Sequence, residues 1–154
     1  MRATLTTFLL FSGLACAAEL SLGSGAAAPG KPVVLEMNLK DGQGRLVALQ
    51  CDLEFDPDAV SVTVEAGPAA KKAEKNLATF KPARNKMKLL TMGLNHNLIG
   101  DGVVALITVT PAAGAAPGAI AVIRITNAAG ATNEADSISI KSSQAEVRVE
   151  ASHE

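Results

Sequence analysis

The stretch Val47–Phe55, VALQCDLEF, decides the fold, because every odd position in it is apolar and the even positions hold Ala, Gln, Asp and Glu. Successive side chains of a β-strand point to opposite faces, so this alternation predicts a strand with one buried face. The same period recurs in Val33–Leu39, Val60–Val64 and Ala145–Val149, and Gly, Pro and Asp turn signals separate the segments. The pattern predicts an all-β, two-sheet antiparallel sandwich of about eight or nine strands.

Two further segments, Met87–Met92 (MKLLTM) and Val103–Val109 (VVALITV), are apolar at both odd and even positions. Either loops cover their outer faces, or those faces form a binding patch. Pro68–Leu77 is rich in Ala, Lys and Glu, which predicts one or two helical turns in a crossover loop. Ala112–Ala121 is predicted to be a loop that leads into a strand at Ile120–Ile125.

The N-terminal residues 1–17 have the features of a secretory signal peptide. Arg2 precedes an apolar run, and Ala15-Cys16-Ala17 fits a small-x-small cleavage site, so we expect cleavage before Ala18. The alternative is a lipoprotein signal, in which Cys16 becomes the lipidated first residue. Residues 18–154 then form one domain, secreted or held in the cell envelope, and no other segment is apolar enough to predict a membrane span.

Catalytic and metal-binding patterns are missing from the sequence. His96 and His153 belong to no zinc-binding spacing, and neither has a nucleophile or acid near it in sequence. The acidic run Asp52–Asp58 is interpreted as a solvated strand face and turn rather than a calcium loop. Because 14 Lys and Arg balance 15 Asp and Glu, the charge predicts no nucleic-acid partner. We therefore expect no enzyme activity, metal or cofactor, and we assign Cys51 to the core.

The order of the motifs resembles a cohesin domain, the β-sandwich receptor for dockerin modules. The resemblance rests on FDPDAV at 55–60, GDGVVALITV at 100–109 and the closing AEVRVE at 145–150, and it spans about residues 19–150. It implies a cohesin-type sandwich of the jelly-roll or immunoglobulin-like kind, acting as a non-catalytic protein-binding module. An unrelated immunoglobulin-like sandwich with the same patterning remains open.

In cohesins, dockerin is bound on one sheet face by a middle strand and its neighbours. The resemblance therefore implies a partner-binding site made of outward residues of Val47–Phe55, of Met87–Met92 and of the following loop: Ala48, Gln50, Asp52, Lys88, Leu90, Met92, Asn95 and Asn97. The expected partner is a dockerin-like module or an envelope protein. Polysaccharide binding is the alternative, weakened because the sequence has no Trp and no Tyr to stack on sugars, and a homodimer through the same face remains open.

Overall fold

The structure is a computed structural model that describes residues 17–151. Residues 1–16, which include Cys16 and nearly all of the predicted signal peptide, lie outside the described part. The described residues form twelve strands and one helix: β1 (Glu19–Leu22), β2 (Gly25–Ala27), β3 (Val33–Lys40), β4 (Ala48–Glu54), β5 (Val60–Ala66), α1 (Pro68–Lys72), β6 (Asn76–Ala83), β7 (Lys86–Met92), β8 (Gly102–Pro111), β9 (Ile120–Ala131), β10 (Ser137–Ser139), β11 (Lys141–Ser142) and β12 (Gln144–Val149).

The strands form two sheets, and the predicted all-β sandwich is confirmed. Sheet A has the order β11-β1-β3-β8-β5, and sheet B has the order β2-β12-β9-β4-β7-β6 with β10 beside β9. Three strands, β2, β10 and β11, have only two or three residues, and the other nine agree with the predicted number. The parallel pairs in the described residues are β1 with β11 and β2 with β12, so the opening stretch contributes one strand to each sheet.

The core lies between the sheets and consists mainly of Leu, Ile, Val and Ala side chains, with Met37 and Met87. The predicted alternation is confirmed in β3, β4, β5 and β12, where buried apolar residues alternate with more exposed ones, except at Asp52 of β4, which is buried as well. Cys51 points inward on β4 and is 2% exposed, as predicted. Strand β9 continues to Ala131 and includes Gly130.

The two segments that are apolar on both faces have different surroundings. Helix α1 links β5 in sheet A to β6 in sheet B and packs against β8, where Val104 is buried. The amide of Gly67 donates to the carbonyl of Val104 at 2.9 Å, which fixes the start of α1 on β8. On β7, by contrast, Leu90 is half-buried and Met92 is 48% exposed. The helix therefore covers β8 near Val104, while Leu106 farther along β8 is half-buried, and the outward side of β7 ends in the exposed Met92.

Candidate partner-binding face

The outer face of sheet B carries most of the predicted site. Because Leu49, Cys51 and Leu53 point into the core, the even-numbered residues of β4 point outward. The strand register places Gln50 opposite Leu90 of β7 and opposite Ala129 of β9, and it places Ala78 of β6 opposite Leu90. We call this surface the B face, and it comprises Asn76, Ala78 and Phe80 of β6, Lys86, Lys88, Leu90 and Met92 of β7, Ala48, Gln50, Asp52 and Glu54 of β4, and Arg124, Thr126, Asn127, Ala129 and Ala131 of β9.

One half of the B face is apolar. Leu90 lines a shallow depression of about 260 Å³, whose walls also include the alanines at 48, 129 and 131, and the exposed Met92 follows Leu90 by two residues on the same side of β7. Gln50 lies on the rim of this depression and its carboxamide forms no hydrogen bond to the other described residues. An alanine-lined depression beside two larger apolar side chains can accommodate an apolar side chain of another molecule. The apolar half therefore has the shape and chemistry of a protein contact surface.

The other half of the B face carries charges that pair with one another. Lys88 Nζ lies 2.9 Å from Asp52 Oδ1, and Lys86 Nζ lies 3.1 Å from Glu54 Oε1 and 3.9 Å from Asp52 Oδ2. Asn127 donates to Asp52 Oδ2 at 2.9 Å. Two lysines thus face two carboxylates, and the guanidinium of Arg124, opposite Glu54, leaves this half with one positive charge that no carboxylate balances.

Asp52 is held as a carboxylate despite its burial. Only 4% of the residue is exposed, and burial alone would raise its pKa. The hydrogen bond from Asn127 and the neighbouring ammonium groups of Lys88 and Lys86 outweigh burial and lower the pKa of Asp52. The prediction of a solvated strand face was therefore wrong for this residue, because the register brings two lysines of β7 beside it.

A β-bulge places Asn127 next to Asp52. The register between β4 and β9 shifts after Gln50, so that Gln50 lies opposite Ala129 while Asp52 lies opposite Thr126. The extra residue Asn127 has a φ of 50°, a left-handed conformation that Asn adopts more readily than most residues. The bulge turns its carboxamide toward the carboxylate of β4.

The loop after β7 is anchored by its own asparagines. The buried Lys75 Nζ donates to Asn95 Oδ1 at 2.7 Å and to the Asn95 carbonyl at 3.0 Å. Asn95 Nδ2 donates to the carbonyl of Glu74, and Asn97 Nδ2 donates to that of Ala73. Burial lowers the pKa of Lys75. The two asparagines predicted to contact a partner thus use their side chains to hold the loop against the segment after α1, and the loop instead exposes Leu94.

Comparison with known families settles which family the chain belongs to. The family model described as "Cohesin domain" matches residues 18–149. The chain belongs to the cohesin family. No curated protein matches the sequence.

Solved cohesins have the same fold at low sequence identity. The sixth cohesin of scaffoldin B from Acetivibrio cellulolyticus, solved with a dockerin, is 19% identical with a TM-score of 0.76, and the match covers 87% of this chain and 99% of that one. The OlpC cohesin of Clostridium thermocellum, also solved with a dockerin, is 16% identical with a TM-score of 0.74, and the match covers 99% of this chain and 100% of that one. A non-cellulosomal cohesin from Archaeoglobus fulgidus is 12% identical with a TM-score of 0.70, and the match covers 87% of this chain and 91% of that one.

In this cohesin, six of the eight predicted site residues share the B face, and the other two anchor the adjacent loop. The sequence did not identify the contributions of β6 and β9, among them Phe80, Arg124 and Ala129. Phe80 lies in β6, opposite Lys88, and is 55% exposed. Burial does not alternate along β6, because nearly all of its residues are exposed, so no period-2 apolar pattern in the sequence predicts this strand.

Cys51 and His96 are the cysteine and the histidine of the part of this cohesin that the structure describes. Burial, followed by the charge of Asp52, raises the pKa of the Cys51 thiol to about 12, so it stays protonated at neutral pH. His96 Nδ1 lies 2.9 Å from Asn133 Oδ1 on the surface. Among residues 17–151, no three His, Cys, Asp or Glu side chains lie close enough together to hold a metal ion. Within the same residues, no helix has the length and apolar character needed to cross a bilayer.

Proposed function

We propose that this chain is an exported, non-catalytic cohesin that binds another protein through the B face. The observation that carries the proposal is the apolar half of that face, where Leu90 lines the depression with three alanines and Met92 is exposed on the same strand. A contiguous exposed apolar surface with a polar rim is typical of a protein-contact site. Dockerin-like modules are the partner class favoured by family membership, since several solved cohesins of this fold were crystallised with dockerins.

The charged half of the face supports recognition by shape rather than by net charge. Asp52, Glu54, Lys86 and Lys88 satisfy one another, so a partner gains little long-range attraction from them. Specificity then comes from the fit of an apolar side chain into the depression and from hydrogen bonds to the exposed carboxamide of Gln50. Binding through this face should consequently depend weakly on salt concentration.

Export is proposed from the N-terminal segment. Residues 1–17 combine an early Arg, an apolar run and an Ala-Cys-Ala cleavage site. N-terminal sequencing and intact mass of the protein recovered from the culture medium and the envelope test this part. A mature chain beginning at Ala18 supports ordinary cleavage, whereas an acylated Cys16 supports a lipid anchor.

Site-specific cross-linking tests the binding face. A photo-reactive amino acid is placed either at Gln50, at the centre of the B face, or at Thr63, an exposed outward residue of β5 in sheet A. After irradiation with secreted and envelope proteins, we expect one protein cross-linked at Gln50 and not at Thr63. Cross-linking to the same protein from Thr63 alone, or capture of insoluble polysaccharide without any protein, would contradict the proposal.

A further inference from the structure

A second concave site lies away from the depression on the B face. It is a cleft of about 480 Å³ at the corner where β4 turns into β5 and β9 begins. Along β4 this corner follows Glu54, whereas the depression lies at the Ala48 end. Its volume lies within the range of about 300–1,000 Å³ that is usual for small-ligand sites.

The wall of the cleft combines apolar surface with unused hydrogen-bonding groups. Phe55, Ile120 and Val122 supply the apolar part, and Ile120 is 48% exposed. The carboxamide of Asn85 has no hydrogen-bond partner among the described residues, while its backbone carbonyl accepts from the amide of Phe55 at 3.1 Å. Among the described residues, the Arg124 side chain donates one hydrogen bond, from Nε to Gln144 Oε1 at 3.3 Å, so its terminal N–H groups remain available for a ligand.

Charges of both signs surround the cleft. Asp56 accepts from the amide of Asp58 through Oδ1 and keeps its second oxygen available, and the Glu54 carboxylate already binds Lys86 and Thr126. An anionic ligand would meet the carboxylates of Asp56 and Glu54, and a cationic ligand would meet the guanidinium of Arg124. The lining therefore favours an uncharged ligand that both donates and accepts hydrogen bonds.

We propose that this cleft binds a neutral saccharide of one or two units. A sugar ring offers hydroxyl groups to Asn85, Asp56 and Arg124 and a C–H face to the apolar wall formed by Phe55, Ile120 and Val122. The cleft and the depression lie at opposite ends of β4, and the cleft shares Glu54 and Arg124 with the charged half of the B face, so the domain binds two ligand classes at two sites. Because hydrogen bonds in water contribute little net free energy, we expect a dissociation constant of about 1 mM.

Nuclear magnetic resonance titration of the ¹⁵N-labelled protein tests the proposal. The probes are cellobiose, maltose and lactose, with glucuronic acid and glucosamine as charged counterparts. We expect at least one neutral disaccharide to shift the amide signals of Phe55, Asn85 and the first residues of β9, and the charged sugars to bind at least several-fold more weakly. Asn85→Ala should weaken binding about tenfold, while Asn38→Ala on the outer side of sheet A should leave it unchanged.

Three outcomes would overturn this inference. The first is that none of the three neutral disaccharides shifts the cleft signals at millimolar concentration. The second is tighter binding of the acid or of the amine, which would show that the ligand class is wrong. The third is equal affinity of wild type and Asn85→Ala, which would place the sugar elsewhere. Since none of these results involves the protein partner, they leave the proposed function of the B face to its own test.

Discussion

Replacing Asp52 with alanine probes the charged half of the B face most directly. The 4%-exposed carboxylate accepts from Asn127 at 2.9 Å and pairs with Lys88 at 2.9 Å and Lys86 at 3.9 Å. Removing one partner from a fully buried ion pair costs about 3–5 kcal/mol, and from an exposed pair about 0–1 kcal/mol. Since the lysine side chains stay 42% and 31% exposed, we expect Asp52→Ala to lower the free energy of unfolding by about 2 kcal/mol.

The matched control is Asp58→Ala. Asp58 also forms an ion pair at 2.9 Å, with Arg84, but both side chains are 79% exposed. We expect this substitution to cost less than about 0.5 kcal/mol, because water solvates both charges once the pair is lost. Urea denaturation of wild type and the two variants, fitted with a common m-value, measures the difference. An equal loss of unfolding free energy in the two variants would refute the reasoning that the buried ion pairs of Asp52 stabilise the fold more than the exposed pair of Asp58.

Three other predictions follow from the same structure. Because the pKa of Asp52 is lowered in the fold, the stability that its carboxylate contributes is fully present above the unfolded-state pKa of about 4 and is lost as pH falls through the lower folded-state pKa. Asp52→Asn should therefore flatten the decline in urea midpoint between about pH 5 and pH 2, and a decline as steep as that of wild type would contradict this. Cys51, with a raised pKa and a buried thiol, should react with iodoacetamide at neutral pH only when the chain unfolds, so labelling in native buffer faster than unfolding would be the adverse result. Gly67→Ala should cost about 1–3 kcal/mol because a Cβ would meet the backbone of Val103. Gly100→Ala, where a Cβ meets nothing within 4 Å, should cost less, and equal urea midpoints for the two variants would contradict the close approach.

The fold was predictable where a strand has one buried face. In β3, β4, β5 and β12 the apolar residues alternate with residues that face outward, and that period determines the phase of each strand. The edge strand β6 escaped prediction because nearly all of its residues are exposed, so no alternation marks it. The predicted one or two helical turns are present as α1, Pro68–Lys72, whereas Asn76 and Leu77 pair with β7, a long-range pairing that is not visible in local composition.

The candidate site was predictable in its strands and less so in its contacts. The resemblance to cohesins pointed to outward residues of β4 and β7, and the structure places all six of those residues on one face. The pairing of Asp52 with Lys88 depends on the register between two strands that are distant in sequence. The use of Asn95 to hold its loop depends on Lys75, and such a contact follows only from the tertiary structure.

A matched pair of charge insertions tests the central claim most directly. Leu90 points outward from sheet B and Val34 points outward from sheet A, and both are apolar strand residues. Once cross-linking has identified the partner, calorimetric titration of purified partner into wild type, Leu90→Glu and Val34→Glu compares the two surfaces. The account predicts that Val34→Glu binds like wild type and that Leu90→Glu binds at least a hundredfold more weakly, because a charge at the centre of an apolar contact loses about 3 kcal/mol or more. Unchanged affinity in Leu90→Glu, or loss of binding in Val34→Glu alone, would contradict it.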